Sequence, residues 1–221
     1  FYIMPPIPFA DQTPNVELGI PYPAAPNSQN WLGTDDLGRD VLARILYGLR
    51  VSLLFGLALT LAGALIGIIV GAIQGYYGGW VDLAGQRFME VWGGMPQLFM
   101  IIILVSLFSP SIFMLFAMML LFGWMGLVGL VRAEFLRARN FDYVRAARNL
   151  GVSDSQIMLR HILPNALASS LSQLPFILTA NIIALTALDF LGYGLPPGSP
   201  SLGELMVQGK NNLDAPWLAL S

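Results

Sequence analysis

Long apolar runs alternate with short charged stretches along this chain, and the runs set its elements. Val51 to Val81 carries no charged residue, and its apolar part ends near Ile73, before Gln74-Gly75-Tyr76-Tyr77-Gly78-Gly79. Val91 to Val131 is also uncharged but too long for one crossing. Ser109-Pro110-Ser111 divides it, because proline ends helices and Ser-Pro favours a turn. A third run, His161 to Leu188, has Pro164 near its start and Pro175 inside. A helix needs roughly 20 apolar residues to cross a ~30 Å hydrocarbon core. The pattern therefore predicts an all-α, polytopic membrane bundle with spans at about 50–73, 88–108, 112–132 and 166–188. A further span starts near Trp217. The chain begins at Phe1 and ends inside that last run, so it reads as a fragment with one or both terminal helices missing or truncated.

The intervals between the runs have their own patterns. Residues 1–32 are rich in proline (Pro5, Pro6, Pro8, Pro14, Pro21, Pro23, Pro26), which predicts an extended external segment. Residues 33–48 read as a short amphipathic helix on the external surface, capped by Thr34 or Asp35. Leu37, Val41, Leu42 and Ile45 form its apolar face, opposite Asp36, Asp40 and Arg44. Trp31 and Tyr47 suit interfacial anchoring. Residues 49–221 form the transmembrane domain. In its first span, Gly63, Gly67 and Gly71 make a small-residue ridge that lets helices approach closely.

The loop 133–165 predicts two short helices. Asn140 caps the first, Phe141 to Leu150, in which Phe141, Val144, Ala147 and Leu150 share a face. Gly151 closes it as a C-terminal glycine. Ser153-Asp154-Ser155-Gln156 is a capping-box pattern opening the second helix, and Pro164 ends that helix near the membrane.

Charge then sets orientation. Residues 132–160 hold Arg132, Arg137, Arg139, Arg145, Arg148 and Arg160 against Glu134, Asp142 and Asp154, which predicts a cytoplasmic loop. Residues 1–40 hold Asp11, Glu17, Asp35, Asp36 and Asp40 against Arg39 alone, and so face outside. Residues 190–216 are then an external loop.

Composition agrees with a membrane protein: 56% hydrophobic and 11% charged residues, against about a quarter charged in soluble domains. The absence of cysteine and the single histidine, His161, exclude a disulfide framework and any cysteine-ligated or multi-histidine metal site. No basic stripe points to nucleic acid.

Several single residues are candidates for chemistry. Asp189 sits where the fourth span meets the outside, and an acid near membrane depth is a candidate for the solute path. The competing reading is an interfacial acid bonded to nearby backbone. His161 lies at the loop–membrane boundary. Arg132 with Glu134, and Arg87 with Glu90, read as local charge pairs. Met114, Met118, Met119 and Met125, with Phe113, Phe116 and Phe122, read as lipid-facing or core packing.

The loop resembles the EAA loop of ATP-binding-cassette importer permeases, whose pattern is Glu-Ala-Ala, three residues, Gly, nine residues, then Ile-x-Leu-Pro. Here it reads Arg145-Ala146-Ala147, Arg148-Asn149-Leu150, Gly151, nine residues to Arg160, then His161-Ile162-Leu163-Pro164. Arg145 stands where the pattern has Glu and His161 where it has Ile; His-x-Leu-Pro-Asn, completed by Asn165, is familiar in the peptide-transporter branch. Gly33-Thr34-Asp35 through Arg39-Asp40, Gly75-Tyr76-Tyr77-Gly78-Gly79 and Phe190-Leu191-Gly192-Tyr193-Gly194 resemble that branch too. The stretch Pro200 to Asn212 is most similar to Yej-type importers, which take up oligopeptides and the peptide-nucleotide microcin C.

The resemblance implies the type I transmembrane-domain fold and a non-enzymatic transport subunit with no catalytic residues. Arg145, Ala146, Ala147, Leu150, Gly151 and Pro164 are implied to couple it to a cytoplasmic ATPase. It also implies a second permease subunit as a heterodimer partner, a periplasmic solute-binding protein and a peptide-like substrate. No phosphate-binding loop Gly-x-x-x-x-Gly-Lys-Ser/Thr occurs, so ATP and Mg2+ are expected on the ATPase and no cofactor on this chain. A secondary, ion-coupled carrier is the alternative, but such carriers place acids or histidines inside their spans, and these spans are nearly free of them.

Overall fold

The protein, seen in a computed structural model, is described at residues 9–15, 21–108, 111–196 and 198–220. Helices make up nearly all its regular structure. Two isolated antiparallel bridges, Pro14 with Arg39 and Thr34 with Asp40, are the β-type pairing among the described residues.

The charge-free run after Val51 becomes part of α1, Val41–Tyr77, a single helix of 37 residues. No separate surface helix precedes it. Residues 33–40 form tight turns instead, and Asp40 supplies the helix cap, accepting from the Ala43 backbone N–H at 2.7 Å. Thr34 and Asp35 do other work, described below.

The run 91–131 divides in two places. The helix α2 (Gly79–Gly93) is followed by α3 (Gln97–Ser106) at a 70° bend. Pro96, after Gly93-Gly94, explains this break: its ring disfavours helix in the residue before it. The predicted span 88–108 is therefore two helices, and its first half begins at Gly79. The expected turn at Ser109-Pro110 lies outside the described residues. Next, α4 (Ile112–Gly123), a 3-10 turn (Trp124–Leu127) and α5 (Val128–Ala138) run on together. The loop region holds α6 (Asp142–Asn149), α7 (Asp154–Gln156) and a π turn (Ile157–Ile162) leading into α8 (Leu163–Leu171). After it come α9 (Leu174–Phe190), α10 (Leu202–Asn211) and α11 (Trp217–Leu220).

By length and apolarity, Val41–Tyr77 and Ile112–Ala138 each suffice to cross a membrane. Two bent pairs, residues 79–106 and 154–190, raise the count to four if each is one span.

Pro164 does not end its helix. It sits in the first turn of α8, directly after the π turn. The wider i→i+5 pattern there takes up the bond a proline cannot make and moves the carbonyl its ring would strike. The chain bends by 55° at residues 172–173, at the end of α8, where Pro175 follows in the first turn of α9.

Two compact units share these elements. One comprises the described residues of Phe1–Gly56, Val105–Leu115 and Ile182–Ser221. Its core joins Val41, Ala215 and Leu218 with Leu32, Ile45 and Trp217. The turns of residues 33–40 are held by named bonds. Thr34 Oγ1 accepts from Ala24 N at 2.9 Å, and Asp35 Oδ1 accepts from Arg39 N at 2.8 Å. Asn30 bridges the segment, donating to Asp40 Oδ2 at 2.7 Å and accepting from Asn15 at 2.9 Å. Gly33 and Gly38 adopt φ of 74° and 76°, which the turns require.

The expected amphipathic face of 33–48 is kept only in part: Val41 is buried and Ile45 packs beside it, but the polar side does not stay outside. Asp35, Asp40 and Arg44 are buried, whereas Leu37 is 59% exposed and Leu46 is exposed as well. The polar side chains neutralise one another inside: Arg39 Nε donates to Asp35 Oδ2 at 2.6 Å, and Glu204 accepts from Arg44 Nη2 at 2.7 Å. Where lipid is the solvent, apolar side chains lose nothing by facing outward, and charges gain by pairing within.

The second unit is Leu57–Leu104 and Phe116–Asn181. Here α1 lays Gly63, Gly67, Gly71 and Gly75 against the helix through Val128–Ala138 and the turn before it. A Cβ at Gly67 would stand 2.6 Å from the Trp124 carbonyl, and one at Gly71 2.7 Å from that of Val128. Backbone therefore touches backbone, as small-residue ridges permit. Leu57, Leu61, Leu65 and Ile69, on the opposite side of α1, are exposed. The core of this unit gathers Tyr76, Leu127, Val131, Phe135, Val144, Ile157 and Ile162.

Candidate functional site

The elbow between α5 and α8 carries most of the sequence-predicted site. Its first helix, α6, has no side-chain cap. Asn140 instead donates back to the Leu136 carbonyl at 3.2 Å, and Phe141 occupies the cap position in extended conformation. Asp142, in the first turn, complements the helix dipole. Gly151 takes φ of 79°, and Val152 N donates to the Ala147 carbonyl at 3.1 Å, which closes the helix in the left-handed glycine manner. Ser153 caps α7 only by position: its hydroxyl lies 3.4 Å from that of Ser155 and makes no cap bond.

The expected shared face splits. Val144 and Ala147 point into the core. Phe141 and Leu150 flank the helix and both are exposed, Leu150 to 83%, because each three-residue step falls short of a full 3.6-residue turn and the row drifts off the buried side. Of the six expected coupling residues, Arg145, Ala146, Leu150, Gly151 and Pro164 are exposed. Ala147 is not; it forms the floor beneath them. Tyr143 joins the outer face, three residues before Ala146 and seven before Leu150, so all three share one side of α6.

One residue that the sequence did not single out ties the elbow down. Tyr76, in the last turn of α1, is buried. Its hydroxyl donates to Asp154 Oδ1 at 2.5 Å and accepts from Arg148 Nη2 at 3.1 Å. The Arg148 guanidinium also lies 5.5 Å from the Tyr76 ring centroid, a cation–π distance. The phenol bond pushes the Arg148 pKa above the ordinary arginine value. Arg139 Nη1 donates to the Tyr76 carbonyl at 3.3 Å. Tyr76, Tyr77, Arg139, Asn140, Arg148 and Asp154 line a polar cleft of about 470 Å3. The only local signal was aromatic residues beside glycines at a span end; the partners lie more than 60 positions away.

Other expectations resolve differently. Arg132 does not pair with Glu134. It makes a two-pronged bridge to Asp82 of α2, while Glu134 accepts from Arg137 Nη2 at 2.5 Å. Residues two apart on a helix point away from each other, so the nearer-in-sequence pairing is geometrically closed. Arg87 and Glu90 do pair, at 2.6 Å, on an exposed surface. Met118, Met119 and Phe122 are buried, and Phe113 is exposed.

Asp189 holds its own loop together. Oδ1 accepts from Leu195 N at 2.6 Å, and Oδ2 accepts from the Ser201 hydroxyl at 2.6 Å. Both oxygens are engaged by nearby residues of the same loop, which gives this acid a structural task. His161 is exposed at the end of the π turn, and its carbonyl accepts from Asn165 at 3.5 Å. Among the described residues, no group of three or more metal-ligating side chains stands together.

Residues 46–221 match the model of the binding-protein-dependent transport system inner membrane component. The chain belongs to that family. Within it, the chain is 62% identical to the inner membrane ABC transporter permease protein YejE of Escherichia coli K12, across 98% of this chain and 63% of that relative. It is 53% identical to the peptidoglycan transport system permease protein YejE of Agrobacterium fabrum, across 99% of this chain and 64% of the relative. The oligopeptide transport system permease protein OppC of Haemophilus influenzae is 38% identical, with 89% and 64% covered. The chain thus spans somewhat under two thirds of the length of these family members.

Proposed function

We propose that the chain is a membrane-spanning permease subunit of an ATP-driven importer, forming part of the path for peptide-like solutes. Its α6–α7 elbow docks on a separate cytoplasmic ATPase. The observation that carries the docking is the outer face of α6. Tyr143, Ala146 and Leu150 present apolar surface on an otherwise basic loop, while Val144 and Ala147 anchor the helix from beneath. A solvated loop gains nothing by exposing Leu150 so fully; a helix seated in a partner's cleft does. Arg145, on the same elbow, makes the approach electrostatically positive.

The family and the names of the relatives, which speak of peptidoglycan, oligopeptide and dipeptide transport, support a peptide-bearing solute. Oligopeptides and peptide-nucleotides such as microcin C fall within that class. Hydrolysis, with its ATP and Mg2+, belongs to the ATPase. A second permease subunit, pairing as a heterodimer, and a periplasmic binding protein complete the assembly. The elbow faces the cytoplasm and residues 190–216 the outside.

The test is co-purification of the intact importer in mild detergent. Leu150→Asp should reduce the ATPase recovered with the permease by about tenfold, the effect of losing a buried apolar anchor. Full recovery with this variant would remove the docking role.

A further inference from the structure

The geometry points to Tyr76 as the pin that locks the coupling elbow to the first long helix, so that force on α6 reaches α1 directly. This rests on the docking role proposed above for α6. Three separate parts of the elbow meet this one residue. Its hydroxyl accepts from Arg148 of α6 at 3.1 Å and donates to Asp154 of α7 at 2.5 Å. Its carbonyl accepts from Arg139, at the end of α5, at 3.3 Å. The two short helices on either side of Gly151 are therefore bridged through one phenol oxygen.

The surroundings make the pin stiff. The preceding residue, Gly75, lies flush on α5: a Cβ there would stand 2.5 Å from both the Arg132 carbonyl and the Phe135 Cβ. Two residues on, Gly78 turns the chain at φ of 63°. Asp154 and Arg148 are exposed, but Tyr76 is buried, so the bonds radiate from a fixed centre. The hinge at Gly151 has open space around it. Without the pin, α6 would be tied to α1 and α7 only by the packing of Val144 and Ala147 and by the glycine link, and would rock more freely. With it, displacing α6 pulls on the end of a helix of 37 residues.

Tyr76 is thus a positioning residue. It touches neither solute nor nucleotide, and its effect should appear in the ratio of ATP hydrolysed to solute imported. The assay uses the complete importer in liposomes, with radiolabelled tri-alanine as solute. Tyr76→Phe keeps the ring and the cation–π contact but deletes both hydroxyl bonds. The ATP-to-solute ratio should rise by at least about fivefold, the scale of losing even one of these two bonds. Asp154→Ala should behave alike, and Asp154→Asn, whose amide oxygen still accepts, should restore most of the coupling.

A second measurement does not depend on the solute. The chain has no cysteine, so spin labels at Ile73→Cys and Asn149→Cys, the latter exposed and outside the docking face, report the α1–α6 distance. It should stay in one narrow distribution through the ATP cycle with Tyr76 and broaden with Tyr76→Phe. A wild-type ratio together with an unbroadened distance in Tyr76→Phe overturns the pin. If instead Leu150→Asp leaves ATPase recovery intact, the docking reading fails, whatever Tyr76 does.

Discussion

Arg44, fully buried near the start of α1, donates from Nη2 to Glu204 Oε2 at 2.7 Å, although 160 residues separate them. Arg39 reaches the other oxygen of the same carboxylate at 3.3 Å, and Asp35 holds Arg39 from behind at 2.6 Å. Two guanidinium groups and two carboxylates thus close on each other in one small volume. Removing one partner of such a set leaves an uncompensated buried charge.

Asp35→Ala should therefore lower the stability of the detergent-solubilised protein by about 3–5 kcal/mol, the usual cost of orphaning a buried ion. Glu90→Ala, which breaks the exposed Arg87 pair, should change it by about 0.5 kcal/mol or less. Thermal melts of the two variants side by side check this; equal shifts would contradict the burial difference.

The glycine ridge gives a graded set. Gly71→Val would place a Cβ 2.7 Å from the Val128 carbonyl, a backbone atom that cannot swing aside. It should cost about 1–3 kcal/mol or block assembly, as overpacking does. Gly63→Ala meets its nearest atom at 3.4 Å and should be tolerated. Folded yield and melting temperature in detergent distinguish them.

Gly151→Val forces a β-branched residue to φ near 79°, where L-residues other than glycine lose about 1–2 kcal/mol. No neighbour lies within 4 Å of a Cβ there, so the penalty is conformational rather than steric. Membrane insertion should survive, while solute uptake per ATP falls. Unchanged uptake in vesicles would count against the hinge.

Asp189→Asn keeps an oxygen for Leu195 N but puts the amide NH2, a donor, where the Ser201 hydroxyl now donates. It should reduce stability by about 1–2 kcal/mol, the order of an impaired charged hydrogen bond, and leave the KM for peptide uptake near wild type. A raised KM with an unchanged melt would return Asp189 to the solute path.

The charge-free runs made most of the helical bundle legible, since apolar length is what a lipid core demands. The break at Pro96 was also written in the sequence, in Gly93-Gly94 and the proline itself, but the uncharged length of the run masked it. The failure at residues 33–44 has a different cause. A helical wheel assumes a helix, but residues 33–40 are turns, so Leu37 leaves the face of Val41, while Arg44 is drawn inward by Glu204, 160 residues away. The elbow was readable at Gly151, where a positive φ leaves a local mark, and unreadable at Tyr76, whose meaning lies in Arg148 and Asp154. Pro164 misled because a proline is a breaker only for an i→i+4 helix, and the preceding turn is wider.

From Gly63 to Gly75, α1 lays glycine backbone against the carbonyls of Gly123, Trp124, Val128 and Arg132. Contacts this close leave the two stretches little room to slide, so they travel as one plank. Bending is then delegated to the places where the helical ladder is already interrupted, the 70° corner beside Pro96 and the 55° corner before Pro175. Within the second unit, a stiff seam is thus flanked by two joints.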